Sequence, residues 1–411
     1  MAEAGKQALE AARRHEPEIV RFLRDMIAIP AESCREGPRC ERVRQEYERL
    51  GFDEVFFDRL GTVVARIGSG PLKILMDGHI DCVGIGDPKA WDFDPFLGKL
   101  EDGKVWGRGA VDELPAVACM AYGAKILRER GIPDSVTLYL TASVMEEDCD
   151  GYCLLHLIEK EGLRPDVVIL GEPTDLNVYR GHRGRMEVTI ATRGKSAHGA
   201  HCDAGVNALY KMAPILADVE ALHRRMPSDD FLGKGSVTVS FLECSSASLC
   251  SVPDAARIYI DRRLTRGETA EKALEELRSL PHLGDARVEL LSYEATSWRG
   301  ETARQEKFFP TWTLPEAHPL VQGVREAIEA VLDRAPKVSR WSFSTNGVAS
   351  MGHLGIPTVG FAPGLEELAH TPRECVATED LVGAAAVYSL IPEFLARHQG
   401  SLLASKAKKE N

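Results

Sequence analysis

At 411 residues the chain exceeds one ordinary hydrophobic core, so two folding units are the natural reading. Its composition is globular, 44% hydrophobic and 27% charged, and a net charge of -12 argues against nucleic acid and anionic membranes as partners. The opening MAEAGKQALEAARRHEPEIV is charged and helix-prone and has no apolar signal core. No apolar run approaches the roughly 20 residues of a bilayer span, and the 10 cysteines show no paired spacing, so a cytoplasmic protein with free thiols is expected.

In chain order, Glu16–Ile29 has apolar residues at helical spacing and stops before Pro30, and Cys40–Phe52 is a second amphipathic helix closed by Gly51. Three short apolar runs follow, TVVARIG, KILMDGHID and KVWGRG, then a helix over Ala116–Gly131. The strand-like SVTLYLTASV, a helix around GYCLLHLIEKEG and the run PDVVILGEP continue the alternation. This order predicts an α/β sheet with buried, largely parallel strands.

The texture changes near Arg183. GRMEVTIATRGK alternates with a period of two, the helix GVNALYKMAPILADVEALHRRM follows, GSVTVSFLEC and ARIYIDRRL alternate again, and TAEKALEELRSL is helical. Two helices on an antiparallel sheet make a compact α+β unit. After the polar stretch Trp298–Pro315 the α/β texture returns, with a helix from His318 to Leu332, the strand PTVGFAPG and a last helix from Thr378 to His398. The predicted organisation is an α/β domain of residues 1–182 and 298–411, interrupted by an α+β insertion of residues 183–297.

Ligands of α/β sheets bind beyond the carboxyl ends of strands, so acids and histidines at predicted strand ends are the candidates. LMDGHIDCVG offers His79 and Asp81, VWGRGAVDELP offers Asp112, and LTASVMEEDCD offers Glu146 and Glu147. VVILGEPTD offers Glu172, and GLEELAHTPRE offers His370. Any one of these is ordinarily structural; five such features at five strand ends make a ligand set. Two histidines with three or four carboxylates suit two divalent ions of the zinc type, one carboxylate bridging them. Water held there has a pKa of about 7, and a nearby carboxylate that is not a ligand takes its proton. The adjacent Glu146 and Glu147 suit that division, one bound and one free.

MDGHIDCVG, WDFDPFLGKLEDGKVWGRGAVDE, SVMEED, GEPT and FAPGLEELAHTPRE together resemble the M20 family of dinuclear zinc peptidases and amidohydrolases. That family includes acetylornithine deacetylase, succinyl-diaminopimelate desuccinylase and glutamate carboxypeptidase. The resemblance covers nearly the whole chain. RGHRGRMEV, FLGKGSVTVS and FSTNGVASMGHLGIPTVGF are similar to a branch named as selenium-metabolism hydrolases. The resemblance implies a zinc-peptidase-like α/β catalytic domain with an inserted lid and dimerisation domain. It implies that His79 and Glu172 hold one metal ion, Glu147 and His370 the other, and Asp112 bridges them. Zinc is the expected metal; cobalt and manganese also suit such ligands.

By the same resemblance Glu146 is the general base and Asp81 orients His79. His198, in GKSAHGAH, stabilises the oxyanion in the partner subunit of a homodimer. Arg263 clamps a substrate carboxylate; on an alternating strand it shares a face with Arg257, Tyr259 and Asp261, and Arg262 points away. Asn346 stands where relatives commonly have Asp and is a candidate substrate contact. The Asp112–Glu113 peptide is implied to be cis. The implied reaction is hydrolysis of an amide bond in a small N-acyl amino acid or dipeptide. Hydrolysis of N-carbamoyl amino acids is the alternative, and a non-catalytic binding subunit is a third reading.

Two departures from the family pattern stand out. Leu114, Pro115 and Ala116 follow the bridging acid in place of a Gly-rich turn, which is expected to alter the entry to the next helix and one pocket wall. Cys250 stands where many relatives have an Asn that contacts substrate. Among the remaining charged residues, Asp148 and Asp150 read as solvated or helix-capping, and Asp92 and Asp94 as a packed turn. His201, His318 and His353 read as structural. His182 reads as a hinge or pocket residue or a solvated turn, and Arg183 and Arg185 as an anion site or a solvated basic turn.

Overall fold

The computed structural model describes residues 2–407. Strands β1 (Glu54–Phe57), β2 (Val63–Gly68), β3 (Leu72–His79), β4 (Val136–Ser143), β5 (Val167–Leu170), β6 (Val178–His182), β7 (Trp312–Thr313), β8 (Val338–Trp341) and β9 (Thr358–Gly360) form one sheet. Their order is β1-β2-β4-β3-β5-β9-β6-β7, with β8 also paired to β6. The centre is parallel: β4 with β3, β3 with β5, and β5 with β9. One flank, β1-β2-β4, is antiparallel; on the other, β9-β6-β7 is antiparallel but β8 pairs with β6 in parallel. The parallel pairing read from the sequence therefore holds in the middle and between β8 and β6, and the remaining flanking pairs are antiparallel. β5 is buried at every residue, as strands covered on both faces are, whereas β1 alternates between exposed and half-buried like an edge strand.

Helices α1 (Ala2–Ile27), α2 (Gly37–Arg49), α3 (Leu114–Arg130), α4 (Tyr152–Glu159), α5 (Pro319–Leu332) and α6 (Thr378–Arg397) belong to this body, followed by a short helix at Gln399–Ala407. α1 starts well before the predicted Glu16, because Ala8, Ala11 and Ala12 continue its buried stripe upstream. Gly51 and Gly131 end α2 and α3 with positive φ values of 73° and 100°, a region open to glycine. α3 is buried on nearly every side over residues 114–124, and its small residues let α6 approach closely. A Cβ on Gly123 would stand 2.6 Å from that of Tyr388.

The chain leaves the main sheet at His182 and builds a second, antiparallel sheet. It comprises Gly184–Arg193, Ser236–Ser245, Ala255–Leu264, Arg287–Leu290 and Phe308–Phe309. The helices Ala208–Arg224 and Ala270–Arg278 pack on it, capped by the side chains of Asn207 and Thr269. Met186, Val188, Ile190, Met212, Ile215, Ile258 and Leu277 form a hydrophobic core separate from that of the body. Tyr293, Ala295 and Trp298 already pack against the body. No helix among the described residues is long and apolar enough to cross a membrane.

Candidate active site

Parallel neighbours end at one level, so β3 and β4 deliver their loops together: His79 lies in register with Ser143. The buried His79 ring places Nε2 3.0 Å from Asp112 Oδ1 and 3.8 Å from both Glu146 Oε2 and Glu172 Oε1. The second oxygen of Asp112, Oδ2, is 3.0 Å from His370 Nε2, which is 3.3 Å from Glu147 Oε2. One carboxylate thus offers each oxygen to a different imidazole. The Asp112–Glu113 peptide is cis.

Two backbone positions hold this arrangement in the left-handed region, Met145 at φ 64° and His370 at φ 62°. For non-glycine residues such conformations cost on the order of 1 kcal/mol or more and persist where the surroundings impose them. Met145 N donates to Glu36 Oε1 at 2.9 Å. The Asp81 carboxylate accepts from the amides of Glu146 and Glu147 at 3.2 and 3.0 Å and from Ser33 Oγ at 2.6 Å. Asp81 therefore fixes the acidic loop. His79 Nδ1 meets the main-chain oxygen of Asp81 at 2.9 Å, nearer than its carboxylate at 3.6 Å, so the contact expected between the two side chains is a main-chain one.

Burial, reinforced by neighbouring acids, pushes Glu146 and Glu172 well above the usual carboxyl range. Asp112 goes the other way: against its burial, the imidazoles of His370 and His79 hold it below that range. In return, hydrogen bonds to Asp112 and Glu147 push His370 up to about 10. Glu113 Oε2, Glu146 Oε1 and Glu172 Oε2 are buried oxygens without a hydrogen-bond partner among the described residues. Leaving such an atom unmatched costs about 1–3 kcal/mol or more. A cation relieves both the repulsion and the unmatched oxygens. His79–Asp112–Glu147 and His79–Glu113–Glu172 are each compact enough to hold one. Carboxylate oxygens with imidazole nitrogens suit zinc, cobalt and manganese, so these residues fit divalent metal.

A cavity of about 330 Å³ opens over the cluster, with Arg185, Arg263, Phe343, Ser344 and Glu366 on its other walls. Arg263 is turned by Asp261, at 2.8 and 2.9 Å, and Arg262 points to the opposite face, buried against Glu268 and Glu276. Asp150 is buried, where a solvated or helix-capping residue was expected. It accepts from Arg185 Nη2 at 2.7 Å and from Ser344 Oγ. Arg185 also stacks on Phe309, 4.5 Å from the ring centroid, and is half-buried on the cavity wall rather than in a solvated turn.

Other candidates lie elsewhere. Asn346 does not reach the cavity: it is buried, its Oδ1 accepting from Gly151 N at 2.9 Å and its Nδ2 donating to Asp77 Oδ2 at 2.9 Å. That replaces the substrate contact expected of it with a structural role. Leu114, Pro115 and Ala116 are buried in the first turn of α3 and line no part of the cavity, so the expected change of pocket wall does not occur. His198 is exposed on the inserted unit, outside its own chain's cavity, and the adjacent Gly199 N donates to Cys250 O at 2.7 Å. The sequence did not mark Ser344 or Glu113 as part of the site, and it assigned Asp150 another role. Asp150 and Arg185 meet across 35 positions, and no local pattern announces that pairing.

Residues 75–393 match the model of Peptidase family M20/M25/M40. The chain belongs to this family. It is 46% identical over 389 residues to the YgeY protein of Escherichia coli (strain K12), covering 94% of this chain and 96% of that protein. It is 27% identical over 393 residues to the succinyl-diaminopimelate desuccinylase of Rhodospirillum centenum, covering 92% and 97%. The solved structure of the YXEP protein of Bacillus subtilis, described as a dinuclear metal binding peptidase, superposes with a TM-score of 0.67 at 15% identity, covering 93% of this chain and 99% of that one. The protein is a metal-dependent hydrolase of this peptidase family, acting on C–N bonds.

Proposed function

We propose that the protein hydrolyses the amide bond of a small N-acyl amino acid or dipeptide at a dinuclear centre. His79 and Glu172 would hold one ion, Glu147 and His370 the other, and Asp112 would bridge them. The observation that carries this reading is the Asp112 carboxylate, with His79 3.0 Å from one oxygen and His370 3.0 Å from the other. The YXEP structure, described as dinuclear, supports it by analogy of fold. Bound divalent ions supply Lewis acidity that polarises the scissile carbonyl and makes water a stronger acid. Glu146 lines the cavity with Oε1 unmatched, and in this reading takes the proton from water and returns it to the departing nitrogen. Arg263 would bind a substrate carboxylate, and the modest cavity limits the substrate to a small one.

We further infer a homodimer formed through the inserted unit. Ser236–Ser245 is an edge strand, and Phe241 and Leu242 on it are 58% and 41% exposed. A second copy pairing there would cover them and bring an exposed His198 to the partner's cavity, where it would stabilise the oxyanion. The free cysteines suit a cytoplasmic setting.

The test joins metal analysis to turnover. Wild type loaded with zinc, cobalt or manganese is expected to bind two ions and cleave members of a panel of N-acyl, dipeptide and N-carbamoyl substrates. Glu146→Gln should keep both ions and lose about 10²- to 10⁴-fold in kcat. Loss of metal in Glu146→Gln but not in Glu147→Gln would exchange the two roles. Turnover of the N-carbamoyl substrates alone would replace the proposed substrate class.

A further inference from the structure

The segments WGRGAVDE and AHTPRE each contain a charged residue that the proposed chemistry does not use, Arg108 and Glu374. Both are buried, 3% and 0% exposed, and Arg108 Nη1 donates to Glu374 Oε2 at 2.7 Å. The other oxygen, Oε1, accepts from the amides of Val111 at 3.1 Å and Asp112 at 3.0 Å. The Glu374 carbonyl accepts from Gly107 N at 3.2 Å. The next strand, Cys375–Ala377, pairs antiparallel with Lys104–Trp106, just before Arg108. Arg108 is itself fixed, its guanidinium 5.3 Å from the Trp91 ring centroid and its amide donating to Pro95 O at 2.9 Å.

The loops that bear Asp112 and His370 are therefore fastened at their bases by one buried, charge-assisted cluster. Glu374 lies only four residues after His370 and holds the Asp112 backbone directly. Hydrogen bonds to an ionised acceptor are short and strong, and carboxylates that orient a ligand residue set its metal affinity. We propose that Glu374, held by Arg108, is a positioning residue that fixes the Asp112 carboxylate relative to His370 and thereby sets the affinity of the His370–Glu147 half of the site for its ion. This rests on the dinuclear reading above.

Glu374→Gln tests it, because it keeps the shape, removes the charge and turns an amide N–H toward either Arg108 or the two backbone donors. Apo-protein is titrated with Zn²⁺ against a chromophoric chelator, and thermal unfolding is followed on the same samples. Wild type should bind two ions. Glu374→Gln should weaken the ion of the His370–Glu147 half about 10- to 100-fold and the other ion, which shares Asp112 but not His370, by a smaller factor, out of proportion to any change in thermal midpoint. Arg108→Lys, which keeps a cation, should weaken the same ion by a smaller factor, and it carries the same readout if Glu374→Gln fails to fold. Two ions at wild-type affinity in the folded variants, or an equal loss at both ions tracking the thermal midpoint, overturns the proposal. Fewer than two ions in wild type refutes the dinuclear reading itself, and this inference with it.

Discussion

His182 stands where the chain crosses from the main sheet into the inserted unit, and it is fully buried. Its Nδ1 accepts from Thr345 N at 3.0 Å, which places the proton on Nε2, donating to Pro310 O at 3.1 Å. A neutral ring is the only form these partners satisfy, and burial pushes it down to about 4. The unfolded ring titrates at about 6.5. Below that pH the unfolded chain takes up a proton that the folded chain refuses, so the contribution of His182 to stability is intact above about 6.5 and is lost as pH falls toward 4. The loss reaches on the order of 3 kcal/mol. Thermal midpoints of wild type should therefore fall more steeply between pH 7 and 5 than those of His182→Gln; parallel slopes would refute this. The sequence left His182 undecided between pocket, hinge and solvated turn, because burial of a single polar residue is fixed by distant partners. The metal-ligand candidates were legible for the opposite reason. His79, Glu147 and Glu172 sit at or just past the ends of apolar strands, where local pattern marks the place, whereas Asp112 and His370 lie farther along their loops and their assignment rests on the family resemblance.

At the scale of elements, β8 and β9 hold the Glu172 loop from below. Trp341, at the end of β8, is fully buried and donates from Nε1 to Pro173 O at 3.0 Å. β9 passes so close that a Cβ on Gly360 would stand 1.9 Å from the Trp341 ring. Gly360→Ala must displace that ring, and overpacking of this kind costs about 1–3 kcal/mol. Because the ring anchors Pro173, the shift should reach Glu172: the expected result is a lower urea midpoint together with weaker metal binding. An unchanged midpoint would show that the ring moves freely. Most helices could be read from their apolar periodicity, and the central strands from short continuous apolar runs, because those strands are covered on both faces. The antiparallel flanks could not. Short strands such as Trp312–Thr313 carry too few residues for a period, and their direction is set only by the neighbour they meet.

At the scale of the whole molecule, the exposed position of His198 gives the proposed dimer a functional test. Glu146→Gln and His198→Ala chains, each nearly inactive alone, are mixed and allowed to exchange subunits. A mixed dimer has one cavity with Glu146 intact and His198 supplied from the other chain. Random exchange should therefore restore about a quarter of wild-type activity. A mixture no more active than the average of its parents would exclude a contribution of His198 across subunits.

The strand order also dictates a sequence of events during synthesis. β9 lies between β5 and β6, yet it is encoded after the whole inserted unit. A growing chain can complete Gly184–Phe309, with its own core, while the larger sheet still has a gap at its centre and α6 has yet to be made. The smaller unit is thus free to fold first. The body must wait, with the edges of β5 and β6 unpaired, until residues 358–360 arrive to close it.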